Sequence, residues 1–93
     1  MNDLLLDLLG YMRRHNIIGA KHLPERLLFI SRLKHVNRQS QKEFYDAYEL
    51  LIHQKYFIRL KKRTGKGTEY HISLNPEMLE ELERIMEGND EIP

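Results

Sequence analysis

The run Ile58-Arg59-Leu60-Lys61-Lys62-Arg63-Thr64-Gly65-Lys66-Gly67-Thr68-Glu69-Tyr70-His71-Ile72-Ser73-Leu74 decides how this chain folds. Ile58 and Leu60 alternate with Arg59 and Lys61, the two-residue period of a half-buried strand. The return run sets Tyr70, Ile72 and Leu74 on one face and His71 and Ser73 on the other. Between them, Thr64-Gly65-Lys66-Gly67-Thr68 supplies the glycines that a tight reversal needs. The result is a hairpin whose outgoing strand and tip are strongly cationic.

Outward from the hairpin, the charge is segregated. Residues 21–75 carry twelve Lys/Arg against five acids, a net +7, whereas residues 76–93 carry one Arg against seven acids, a net −6. The overall +1 of the 93-residue chain therefore conceals a basic middle, suited to a polyanion, and an acidic end. The length allows one domain, spanning 1–93, with no room for a second hydrophobic core. No apolar run approaches the roughly 20 residues of a membrane span, and Leu4-Leu5-Leu6-Asp7-Leu8-Leu9 is a poor signal peptide. The lack of cysteine removes disulfide frameworks and suits a reducing compartment, so an intracellular, cytoplasmic protein is expected.

Four helices are expected around the hairpin. The first covers 3 to about 15: Leu4, Leu5, Leu8, Leu9 and Met12 recur at helical period, with Asn2 or Asp3 as cap. Gly10 within it suggests close packing of another backbone. Residues 16–19 close that helix and give a short extended segment. Pro24 opens the second helix, with Leu27, Leu28, Ile30 and Leu33 buried and Arg26, Arg32 and Lys34 outward. Asn37, tolerant of the left-handed conformation, is expected to end it near His35. Ser40-Gln41-Lys42-Glu43 fits a capping box for the third helix, which runs to about 54 or 55 and buries Phe44, Ala47, Tyr48 and Leu51. Asn75-Pro76-Glu77 opens a fourth helix ended by Gly88, with 89–93 frayed.

In this order the chain resembles the winged helix-turn-helix family of small DNA-binding regulators over residues 3–74. The likeness is carried by Ser40–Leu60, a capped helix ending in an aromatic-apolar pair, and by the basic hairpin after it. Phe44-Tyr45-Asp46-Ala47 also looks like small winged-helix proteins of archaeal viruses and plasmids. The resemblance implies an α+β winged helix-turn-helix: a three-helix core, a basic β-hairpin wing and an additional C-terminal helix at 76–87. It makes residues 40–55 a recognition helix entering the major groove. Gln39, Ser40, Gln41, Lys42 and Tyr45 are then candidates for base edges. Arg38, Arg59, Lys61, Lys62, Arg63 and Lys66 are candidates for phosphates. Asp46 and Glu49 share the outward face of that helix, where Lys42 and Asp46 are spaced to pair.

The expected function is sequence-specific binding of double-stranded DNA by a transcriptional regulator. A homodimer on a pseudo-palindromic site is expected from surplus apolar surface at Leu5, Leu6, Leu9, Met78, Leu82, Ile85 and Met86. A protein–protein adaptor using the same fold and a replication or partition DNA-binding protein are the alternatives. Catalysis finds no support: there is no cysteine, no serine beside an evident base and no paired acids directed into one cavity. The Gly65–Thr68 tip lacks phosphate-loop spacing, so no nucleotide cofactor is expected. The five histidines lack zinc-site spacing and are expected at the surface rather than on a metal.

Overall fold

The computed structural model describes residues 2–88, and the expected fraying of 89–93 lies outside them. The chain runs α1 (Asp3–Arg14), β1 (Leu23–Pro24), α2 (Glu25–Leu33), α3 (Arg38–His53), β2 (Phe57–Thr64) and β3 (Gly67–Leu74). A 3-10 turn (Pro76–Met78) and α4 (Leu79–Met86) follow. Among the described residues this is an α+β fold of four helices and one three-stranded antiparallel sheet in the order β1-β3-β2. Among the described residues no helix is long and apolar enough to cross a membrane.

Local chemistry sets the helix ends. Asn2 caps α1 by accepting from the Leu5 amide at 3.2 Å. Both α1 and α3 stop in the same way, at a left-handed non-glycine residue, Asn16 (φ 54°) and Lys55 (φ 70°). The next amide then reaches back to the helix: Ile17 to the Met12 carbonyl at 2.9 Å, and Tyr56 to that of Leu51 at 3.0 Å. Ile17 and Tyr56 are themselves buried, the apolar contact that accompanies this type of helix end. Asn37 does not end α2 in a left-handed turn. Its backbone is extended (φ −67°, ψ 164°) and its side chain accepts from the Ser40 amide at 2.8 Å, so Asn37 caps α3. Ser40 thus lies inside the first turn, and the capping box expected there is not used.

Helix α2 departs from its expected face. Leu28, Phe29 and Leu33 are buried, whereas Leu27 and Ile30 are 55% and 58% exposed. Phe29 takes the inward position because it meets Phe44 and Tyr48 edge-on, with ring centres 5.3 and 4.9 Å apart. Arg32 is not turned outward either. Its guanidinium stacks 4.5 Å over the Tyr11 ring and donates to the Leu28 carbonyl at 3.0 Å. At Gly10, a Cβ would meet the Arg14 guanidinium at 3.2 Å, not a second backbone.

The surplus apolar surface of α1 and α4 is consumed within one chain. Leu5, Leu9, Leu82 and Ile85 are all buried, and Met78 and Met86 pack partly buried on the same core. Arg13 Nε, 2.7 Å from Glu83 Oε1, ties the two helices at their rim. Each buried aliphatic side chain contributes roughly 1.5–3 kcal/mol. Leu5, Leu9, Leu82 and Ile85 therefore stabilise the packing within one chain; of the set expected at a dimer interface, half-buried Leu6 is the one not packed on the core.

Strand β3 also differs from a simple half-buried strand. It lies between β1 and β2, so His71, Ile72, Ser73 and Leu74 are all buried. The segment before β1 covers the second face, with the Ser73 hydroxyl donating to the Gly19 carbonyl at 2.9 Å. Tyr70, one residue toward the tip, is 42% exposed.

Candidate nucleic-acid interface

The hairpin pairs from Phe57↔Leu74 at its base to Thr64↔Gly67 at its tip. Gly67 (φ 130°) adopts a conformation closed to other residues, and the Thr64 hydroxyl donates to the Gly67 carbonyl while accepting from the Lys66 amide. Residues 61–68 are all exposed. Lys61, Lys62, Arg63 and Lys66 form no ion pair within 4.0 Å among the described residues. Strand alternation puts Lys61 and Arg63 on the Phe57 side, and Lys62 on the other. The tip is therefore charged on both faces.

Arg59 behaves differently from its neighbours. It shares the Phe57 face but lies nearer the core, where its Nη2 donates to Glu25 Oε1 at 3.0 Å. Its Nε stands 2.9 Å from Glu25 Oε2, a close ion pair whose N–H is not aimed along that line. The guanidinium also lies 3.8 Å over the Tyr70 ring and 4.0 Å from Glu49. Burial alone would lower the pKa of the Arg59 guanidinium, but the hydrogen bond and charge of Glu25 outweigh it and hold it raised. Glu25 also accepts from the Tyr48 hydroxyl at 2.6 Å. Burial, followed by that hydrogen bond and the Glu25 charge, pushes the Tyr48 phenol far up. Arg59 is thus a clamp joining the hairpin base to α2 and α3 rather than a free cation.

The α3 candidates divide in the same manner. Arg38 is exposed in the first turn and has no ion pair among the described residues. Gln41 is engaged: its amide donates to the Val36 carbonyl at 2.9 Å, closing the turn between α2 and α3. Gln39 donates to Glu43 at 3.2 Å, and Lys42 lies 2.8 Å from Asp46, the pairing its spacing predicted. The Asp46 hydrogen bond, then its charge, raises the Lys42 ammonium. Ser40 is half-buried, while Tyr45 is 41% exposed with its edge against Phe29 and Phe44. Asp46, Glu49 and His53 occupy the remaining outward face.

Helix α2 brings hairpin and α3 into one surface through Arg26, which the spacing of hairpin and helix motifs did not single out. An open cleft of about 770 Å³ runs between Arg26 and the tip residues Thr64, Gly65, Lys66, Thr68 and Glu69. A second groove of about 470 Å³ passes from Arg26 along Ile30 and Lys34 to Gln41 and Tyr45. Arg26 lines both and stands 3.8 Å from Glu69 of β3. The only signal for it in the sequence was a cation one residue after Glu25 at a helix start.

The described residues contain no group of three or more His, Cys, Asp or Glu that could hold a metal ion. His71 is nevertheless buried, contrary to the surface position expected of all five histidines. No protein-family model, curated protein or solved structure matches the chain.

Proposed function

We propose that the chain is a winged helix-turn-helix protein that binds double-stranded DNA and acts as a transcriptional regulator by occupying its site. The observation that carries this reading is the hairpin tip: Lys61, Lys62, Arg63 and Lys66 project unpaired from the domain. Tips of this charge neutralise phosphates and release counterions, which supplies affinity without reading sequence. Arg38 adds an exposed cation at the start of α3, while Arg26 stands against Glu69.

Base readout falls to Arg38, Gln39, Lys42 and Tyr45. Exposed pairs such as Lys42–Asp46 are screened by solvent and exchange readily for a base or phosphate. Gln41, expected at base edges, and Arg59, expected at phosphates, serve the fold instead. A homodimer would set two such surfaces on a pseudo-palindromic site. A second reading, a protein adaptor, is favoured by Asp46 and Glu49 on α3 and by exposed Leu27 and Ile30. Selection of bound duplexes from a random-sequence pool separates the two. Enrichment of a short motif supports a DNA reader, and a pool that stays random through successive rounds favours the adaptor.

A further inference from the structure

Where β1 meets β3, two imidazoles face each other. His22 Nδ1 lies 2.9 Å from His71 Nδ1, with the rings edge-on at 76°. On its other side, His71 Nε2 lies 2.9 Å from Glu69 Oε1, and Glu69 Oε2 lies 3.8 Å from an Arg26 nitrogen. An ionised carboxylate only accepts, so His71 Nε2 carries a hydrogen. In neutral His71 the Nδ1 is then bare, and His22 must donate from its own Nδ1.

We infer that His22, His71 and Glu69 form a proton-sensitive latch that fastens the β1 segment to the hairpin strand. The chain of contacts tolerates one added proton. His71 becomes an imidazolium against Glu69 and donates from Nδ1, while the His22 hydrogen moves to Nε2 and leaves its Nδ1 as acceptor. A second proton places N–H against N–H across 2.9 Å, with no acceptor between, and the contact must open. The surrounding charges do not relieve this. Glu69 is the one acid in the contact chain, Arg26 approaches it from α2, and Lys62 stands opposite it on β2. Leu60, opposite His71, is apolar, and Lys21 beside His22 turns away to the His15 carbonyl at 2.8 Å.

The latch matters because the strand it holds is weak. β1 has two residues, paired Leu23↔Ile72 and Pro24↔His71, and proline brings no amide to the ladder. Directly after it, Glu25 and Arg26 grip Arg59 and Glu69. Opening of the histidine pair therefore loosens the β1–β3 edge and leaves the start of α2 held to the hairpin by the Glu25–Arg59 and Arg26–Glu69 pairs. Imidazoles take up protons between about pH 5 and 8. The unfastened pair binds one proton more than the fastened pair permits, so fastening weakens on acidification by at most about tenfold per pH unit. None of this depends on DNA binding.

The test is nitrogen-detected NMR of the histidine side chains together with amide exchange across β1 and β3, from about pH 7.5 to 5, the range in which imidazoles titrate. At the upper end His22 is expected as the Nδ1–H tautomer and His71 as the Nε2–H tautomer. On acidification the β1–β3 amides of the native chain should lose protection, corrected for intrinsic exchange, while those of His22→Gln should not. An Nε2–H His22 beside a neutral His71 overturns the latch, as does the same pH dependence in both proteins. If His22→Gln does not fold, the tautomers of the native chain decide alone.

Discussion

Arg59 of β2 and Glu25 of α2 form a two-point contact, Nη2 to Oε1 at 3.0 Å and Nε to Oε2 at 2.9 Å. It anchors the cationic hairpin to the helical layer. With side chains 29% and 15% exposed, the pair is largely but not fully removed from water. Arg59→Ala leaves Glu25 with only the Tyr48 hydroxyl, and should cost about 2–3 kcal/mol of stability in denaturant titrations. That is below the roughly 3–5 kcal/mol of fully buried pairs, because solvent screens part of it. Equal stability of Arg59→Ala and the native chain would show that the clamp contributes nothing.

Asn37 and Ser40 make opposite contributions to the start of α3. Asn37→Ala removes the side-chain acceptor and should destabilise by about 1 kcal/mol. Ser40→Ala keeps the amide that donates to Asn37 and should stay within about 0.5 kcal/mol of the native chain. Thermal melts of the two variants give the ranking directly; the reverse order would restore Ser40 as the cap.

The raised Tyr48 phenol gives a pH dependence of definite sign. A group whose folded value lies above its unfolded one contributes stability that is fully present below the unfolded value, about 10 for a phenol. That contribution is lost as pH rises beyond about 10 toward the folded value. Stability should therefore fall above about pH 10, and Tyr48→Phe should flatten the fall. An identical alkaline profile in Tyr48→Phe would show that another group drives it.

Leu82, fully enclosed between α4 and the core, tests where α4 packs. Leu82→Ala should cost about 2–5 kcal/mol, as large-to-small core changes do. The destabilisation should be independent of protein concentration, because the packing lies within one chain. A melting temperature that rises with concentration in the native chain and not in the variant would return Leu82 to an interface.

The helices and the hairpin were legible because their signals are local. The Leu5, Leu8, Leu9, Met12 stripe and the glycine tip each act over a few residues and appear where their patterns put them, whereas the Asn75-Pro76 entrance opens a 3-10 turn and α4 begins only at Leu79. What was not legible depends on partners distant in sequence. Asn37 lies between two helices and by composition suits either role; only the extended backbone that sends α3 back across α2 makes it a cap. Leu27 and Phe29 compete for the same helical stripe, and the aromatic cluster with Phe44 and Tyr48 decides for Phe29. Arg59 belongs by alternation with Lys61 and Arg63, but its nearness to the core brings it to Glu25, 34 positions away in the chain. His71 is buried because β3 is central, and that follows from β1, a strand too short to have a pattern.

DNA binding through the hairpin tip is tested by fluorescence anisotropy of labelled duplex DNA across several salt concentrations, with the native chain and with Lys61→Ala/Arg63→Ala/Lys66→Ala. The native chain should bind with an affinity that falls as salt rises. The triple variant should be weakened alike on all sequences, its salt slope reduced by about one for each phosphate it no longer neutralises. A salt-insensitive affinity, or a triple variant that binds as tightly as the native chain, would contradict this reading.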